Sequence, residues 1–146
     1  MEVRYTLTLP GAKAPAYATA GAAAADLFAV LDAPLTLPPG GRALMPTGVA
    51  IQLPGPEYVA LVCARSGLAV KRGVTLSNGV GVIDSDYRGA IQVGLVNLSN
   101  EPCTLEPGER VAQLMVMPVA RCAFTFAEKL DETQRGEGGF GSTGRL

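Results

Sequence analysis

The sequence predicts an all-β domain, a sandwich or barrel of short strands, on three observations. Its 146 residues include 18 glycines and 11 prolines, about a fifth of the chain, where ordinary usage is roughly 12%. Chain-breakers at that density interrupt long helices and favour short strands joined by turns. Hydrophobic residues make up 48% but aromatics only 5%, with no tryptophan, so a core has to be built from Val, Leu, Ile and Ala. Apolar runs of strand length also recur between turn signals such as Pro10-Gly11, Pro39-Gly40, Pro54-Gly55-Pro56 and Pro107-Gly108. The length fits one domain with a real core.

Taken in order, the predicted strands are Val3–Leu9, Arg42–Pro46, Val49–Leu53, Tyr58–Cys63, Val74–Leu76, Ala90–Asn97, Thr104–Leu105, Val111–Pro118 and Cys122–Phe126. Alternation is clearest in Ala90–Asn97, which puts Ile91, Val93 and Leu95 on one face and Gln92, Gly94 and Val96 on the other. Ala20 to Leu31 is a trap: it scores as helix on propensity alone, and no helix is predicted there. A short helix is better supported after residue 65: Ser66 can cap it, Leu68 to Arg72 supply a turn or two, and Gly73 can end it. From about Asp131 apolar content nearly vanishes. Such composition usually means a disordered tail, but a single Phe among the five glycines of Arg135–Gly144 also suits a mobile arm that closes over a ligand.

Composition removes whole classes of function. There is no histidine, which excludes a Ser-His-Asp triad, a Cys-His pair, a histidine-ligated zinc and a histidine general base. Proton chemistry then falls to a carboxylate. A net charge of −1 gives no footprint of duplex binding, so no nucleic-acid partner is expected. Cys63, Cys103 and Cys122 are odd in number and lack C-x-x-C spacing; they read as small buried apolar residues in a reducing compartment. The Ala-rich start lacks a basic segment followed by an unbroken apolar one, and no stretch approaches a membrane span. The expectation is a soluble, cytoplasmic protein without a membrane partner.

Four segments could carry chemistry. Arg65-Ser66-Gly67-Leu68-Ala69 stands where a strand hands over to the short helix; it reads equally as a phosphate-holding turn and as a plain capped helix with a surface arginine. Asn78–Gly89 carries turn signals at Asn78-Gly79 and at Asp86-Tyr87-Arg88-Gly89, so it can form a tight hairpin. Within it Asp84 follows the apolar pair Val82-Ile83 at the edge of a core, where a carboxylate can be held against one water as a general base. Asp86 is the competitor, though turn chemistry suits it better. Arg110-Val-Ala-Gln-Leu114 reads as the head of an apolar strand and nothing more. The glycine-rich tail is hydroxyl-bearing but lacks the Walker spacing and the G-x-G-x-x-G fingerprint.

Together these segments resemble the trimeric dUTPase family over nearly the whole chain. Five motifs stand in the family's order: Ala23-Ala-Ala-Asp-Leu27, Arg65-Ser-Gly-Leu-Ala69, Gly81-Val-Ile-Asp-Ser-Asp-Tyr-Arg-Gly89, Arg110-Val-Ala-Gln-Leu114 and Arg135-Gly-Glu-Gly-Gly-Phe-Gly-Ser-Thr-Gly144. The resemblance implies a jelly-roll-like β-domain over residues 1–130, a mobile arm over 131–146, and a homotrimer with shared active sites. It implies Mg²⁺-dependent cleavage of dUTP to dUMP and pyrophosphate, which limits uracil in DNA and supplies dUMP for dTMP synthesis. Carried over by position, Asp84 would activate water for attack on the α-phosphate. Arg65, Ser66 and Gly67 would hold phosphate oxygens, with Gln113 near the α-phosphate and the attacking water. Asn78 and the backbone of Val82 and Ile83 would read the uracil edge, and Tyr87 would pack under the deoxyribose. Gln92 would line the nucleotide pocket. Arg135, Ser142 and Thr143 would clasp the β- and γ-phosphates, Phe140 would stack over the uracil, and Gly141 would join the same substrate-binding arm. Asp26 would organise the metal's water shell without ligating the ion directly. One departure is Ala24, where the family usually has Gly; a change tolerated near Asp26 is expected.

Two other readings stay open on sequence. A dCTP deaminase relative resembles Arg-Ser-Ser at the second motif and uses a dedicated Glu, whereas Gly67 stands here and no Glu lies between Glu57 and Glu101. A non-catalytic nucleotide-binding trimer would have no need of Asp84, Tyr87 and Phe140 together.

Overall fold

The computed structural model describes residues 1–139. The first half of the chain forms β1 (Arg4–Leu7), β2 (Ala16–Tyr17), β3 (Ala25–Phe28), β4 (Leu35–Leu37), β5 (Arg42–Pro46), β6 (Val49–Gln52) and β7 (Tyr58–Cys63). A short helix α1 (Ser66–Arg72) follows, then β8 (Val74–Leu76), β9 (Gly81–Ile83), β10 (Gln92–Asn97), β11 (Cys103–Leu105) and β12 (Arg110–Pro118). The largest sheet has the order β2-β3-β12-β7-β9; smaller ones are β5-β10-β8, β1-β6 and β11-β4. Every paired ladder is antiparallel.

The core is aliphatic, as the composition requires. Leu27, Met45, Val49, Ile91, Val93, Leu95, Leu105 and Val111 are buried within one cluster, with Tyr58 packed only at its margin. Buried polar groups are satisfied: Asn97 donates to the carbonyls of Leu37 and Glu101 and accepts from Ser99, and Thr47 donates to Ile91. Leaving such groups unpaired would cost about 1–3 kcal/mol each.

The helical propensity around residue 25 is indeed misleading, and several other expectations are corrected. Ala25–Phe28 is a strand, although its surroundings favour helix by propensity. Wedged between β2 and β12, Ala25, Asp26 and Leu27 are all buried, and ladder pairing with burial outweighs a propensity difference of well under 1 kcal/mol per residue. Cys122–Phe126 is not a strand: it lies beyond β12 with no ladder partner, and Phe124 and Phe126 are 97% and 89% exposed. An alternating pattern makes a strand only where an edge is available to pair with. Asn78–Gly89 is not a self-paired hairpin, because β9 joins β7 in the large sheet. Cys103 is buried as expected, but Cys63 is only half-buried and Cys122 exposed.

The helix is placed correctly but starts differently. Arg65 is the N-cap, extended at φ −87° and ψ 126°, and no side chain caps the helix; Ser66 is its first residue. Gly73 ends it in the left-handed region at φ 69°, donating its N–H back into the last turn. A β-carbon there would also lie 2.5 Å from that of Ser99, so both conformation and close approach demand glycine. Arg72 ties the helix end to the Glu109 carboxylate and the Thr104 carbonyl. Partial burial works against its charge, but Glu109 and the neighbouring Cys103 outweigh this and raise the guanidinium pKa.

Candidate active site

Three adjacent strands of the large sheet bring a polar cluster together at one end. On β3, Asp26 is nearly buried, its side chain 11% exposed. Arg65, at the end of the extended chain leaving β7, donates from Nε to Asp26 Oδ1 at 2.9 Å. Arg110, at the head of β12, donates from Nη1 to Asp26 Oδ2 at 3.1 Å. Arg65 Nη1 also donates to the Arg110 carbonyl at 3.1 Å, closing a ring of contacts. A register shift between Arg110 and Ala112 marks a bulge in β12 at this point, a device that re-aims a side chain at a sheet end. A carboxylate this buried is tolerable only because it is paired. Two guanidiniums on one carboxylate leave the cluster one positive charge in excess.

Gln113 stands opposite Asp26 on one side and Cys63 on the other. Its Nε2 donates to the Ala64 carbonyl at 2.9 Å, which holds the amide beside Arg65. Ser66 and Gly67 are exposed, and a β-carbon added at Gly67 would meet nothing within 4 Å. The fold itself does not need glycine there; the open space beside the arginines suits close approach of a ligand to the backbone.

The second group surrounds β9. Asp84 directly follows the strand and is exposed, and its main-chain carbonyl accepts the Tyr87 N–H at 3.2 Å to make a turn. It lines an open cavity with Tyr58, Val82, Asp86 and Arg121. Asp86 lies in the same turn, so burial does not separate the two acids. Ile83 packs against the core while Val82 points outward, 59% exposed. Asn78 occupies the turn after β8, its carbonyl accepting the Val80 N–H at 2.9 Å, and Gln92 opens β10 with an exposed side chain.

One chain does not bring the two groups together. Ala60 pairs with Ile83 and Val62 with Gly81, so Asp84 continues level with Val59, six residues before Arg65 along β7. At about 3.3 Å per residue that is roughly 20 Å. Arg135 joins neither group: its Nε donates to the Gly138 carbonyl at 2.8 Å within its own segment. Phe140, Gly141, Ser142 and Thr143 lie outside the described residues. Arg110 is the site residue that sequence reasoning missed; its Arg-x-x-Gln spacing with Gln113 is the one signal that could have found it.

An antiparallel β-domain with a cationic arginine cluster at a strand-to-helix junction, and a carboxylate-bearing turn elsewhere on the same sheet, has the chemistry to accept an anionic ligand. Comparison with known proteins gives the rest. A family model described as dUTPase matches residues 11–144. The deoxyuridine 5'-triphosphate nucleotidohydrolase of Aeromonas hydrophila is 52% identical over 131 residues, 90% of this chain and 86% of that one. Its counterpart from Burkholderia multivorans is 53% identical over 90% and 88% of the two chains. Among solved structures, a point mutant of the Staphylococcus bacteriophage 80alpha dUTPase with dUpNHpp superposes with a TM-score of 0.87 at 26% identity, covering 99% of both chains. The chain belongs to the dUTPase family.

Proposed function

We propose that this chain hydrolyses dUTP to dUMP and pyrophosphate by in-line attack of a water on the α-phosphate, with Asp84 as the base that activates the water. The observation that carries the phosphate chemistry is the Asp26–Arg65–Arg110 ring beside the open backbone at Ser66 and Gly67. It is a preorganised anion receptor, with one excess charge and donors already oriented. Phosphoryl transfer needs positioning and charge neutralisation more than covalent help. Asp84 takes the water's proton, the new P–O bond forms at the α-phosphorus, and the bond to the bridging oxygen breaks as pyrophosphate leaves. Gln113 orients the α-phosphate and the water.

Asn78 and the backbone of Val82 and Ile83 read the uracil edge. Tyr87 packs under the deoxyribose, and Gln92 lines the pocket. The tail supplies Arg135, Ser142 and Thr143 to the β- and γ-phosphates, with Phe140 over the base and Gly141 beside it. Closing that arm excludes water from the reacting centre.

Mg²⁺, the metal of this family, fits the donor set in one way. Among the described residues no group of three or more His, Cys, Asp or Glu could hold an ion, and Mg²⁺ on a triphosphate keeps several waters and needs few protein ligands. Each Asp26 oxygen accepts one arginine bond and retains a lone pair for a metal-bound water. Held there through water by Asp26, the ion would supply neutralisation of phosphate charge.

The working unit in this reading is a homotrimer. The roughly 20 Å between Asp84 and Arg65 leaves each chain with two incomplete halves, which a closed ring of copies completes. Three free thiols suit a reducing compartment, the cytoplasm. The test is pyrophosphate release from dUTP, dTTP, UTP and dCTP with and without Mg²⁺. Turnover of dUTP alone is expected; ammonia released from dCTP would replace this reading with deamination.

A further inference from the structure

We infer that Gly89 is a specificity-positioning residue: its missing side chain lets the Tyr87 ring lie back across the turn, where it is held to exclude a ribose. This rests on the proposed place of Tyr87 under the deoxyribose. The Tyr87 hydroxyl donates to the Ala90 carbonyl at 3.2 Å, so the phenol folds over residue 89. A β-carbon built on Gly89 would lie 2.5 Å from Tyr87 Cζ and closer still to the hydroxyl oxygen, where ordinary contact begins at 3.4 Å. Gly89 is not among the glycines with positive φ. No positive φ opposes alanine at 89, and the nearest atoms its β-carbon would meet all belong to the Tyr87 side chain.

The rest of the turn is fixed independently. Arg88 Nη1 donates to the carbonyls of Ser85 and Tyr87 at 2.8 and 2.9 Å, and the Tyr87 N–H donates to the Asp84 carbonyl. An added methyl at 89 thus moves the ring and leaves the backbone of the base in place. Tyr87 is 45% exposed, so its free face is available to a sugar while its other side is set by Gly89 and Ala90. Discrimination against one extra hydroxyl is a matter of shape. A ring tilted away from its seat loses that shape without losing the phosphate contacts.

The experiment measures kcat/KM for dUTP and UTP in the full chain, in Gly89→Ala, in Tyr87→Ala and in the double variant. Gly89→Ala is expected to lower the dUTP:UTP ratio about tenfold, mostly through faster UTP turnover, with the melting temperature nearly unchanged. In the Tyr87→Ala background, Gly89→Ala should change neither substrate, because the ring through which it acts is gone. An unchanged ratio in Gly89→Ala, or a further loss in the Tyr87→Ala background, overturns the proposal. Should Gly89→Ala fail to fold, the double variant must fold, since the clash is with the ring; failure of both also overturns it. A wild-type chain without preference for dUTP over UTP would sink the sugar reading of Tyr87 itself, before any variant is compared.

Discussion

Arg110 Nη1 lies 3.1 Å from Asp26 Oδ2, a contact across 84 residues of sequence that makes Arg110 the second holder of the carboxylate gripping Arg65. Without the Arg110 guanidinium, Asp26 pairs with Arg65 alone and the excess positive charge disappears, while the main-chain carbonyl of residue 110 still accepts from Arg65. Arg110→Gln is expected to raise KM for dUTP by about tenfold, with a smaller fall in kcat. Steady-state kinetics checks this. An unchanged KM with a deep loss of kcat would instead put Arg110 in the transition state.

Asp84→Asn removes the proton acceptor and keeps the shape. Turnover should fall by at least about 10²-fold, the usual worth of a positioned base, while a non-hydrolysable dUTP analogue binds with an affinity close to wild type. Calorimetry with the analogue and pyrophosphate release with dUTP separate the two effects. Retained turnover would transfer the base role, with Asp86 in the same turn as first candidate.

The distance along β7 gives a sharper test of assembly. Arg65→Gln and Asp84→Asn should each be inactive as pure proteins. Mixed by co-refolding in equal amounts, they should regain about a quarter of wild-type activity, because random trimers then hold some sites built from two intact halves. No recovery would mean that both groups serve one site from the same chain.

Truncation after Glu132 removes Arg135 and everything beyond it. Residues 119–139 contribute no helix or strand, so the far-ultraviolet spectrum should keep its shape and the measured mass should stay that of three shortened chains while activity falls heavily. Loss of the trimer on truncation would give the tail a structural role.

How much was legible follows from the range of each interaction. Tyr58–Cys63, Val74–Leu76 and Arg42–Pro46 match their predicted bounds because alternation and flanking turns are local signals. Gly73 was legible for the same reason. Asp26 was legible as a residue of the first motif, but its strand was not: an Ala-rich stretch gives no hint that it will lie between β2 and β12. Nor does Arg110-Val-Ala-Gln113 reveal a bulge, whose existence depends on register with a strand more than 80 residues earlier. Cys122–Phe126 failed in the opposite direction, its alternation being local while the partner it would need is not in its own ladder. The site motifs were readable as residue types; their division into two distant groups required the β7–β9 register.

That register has a mechanical consequence. In the proposed trimer each subunit would have both half-sites fixed to one continuous ladder, β12 against β7 against β9, and hydrogen-bonded strands do not slide by small increments. Filling one site therefore cannot be relayed through the subunit as a change of gap at the next. Adjustment is left to side chains and to the segment beyond β12, where no ladder constrains the chain among the described residues. The three sites of an assembled ring should saturate independently, with a Hill coefficient of about 1.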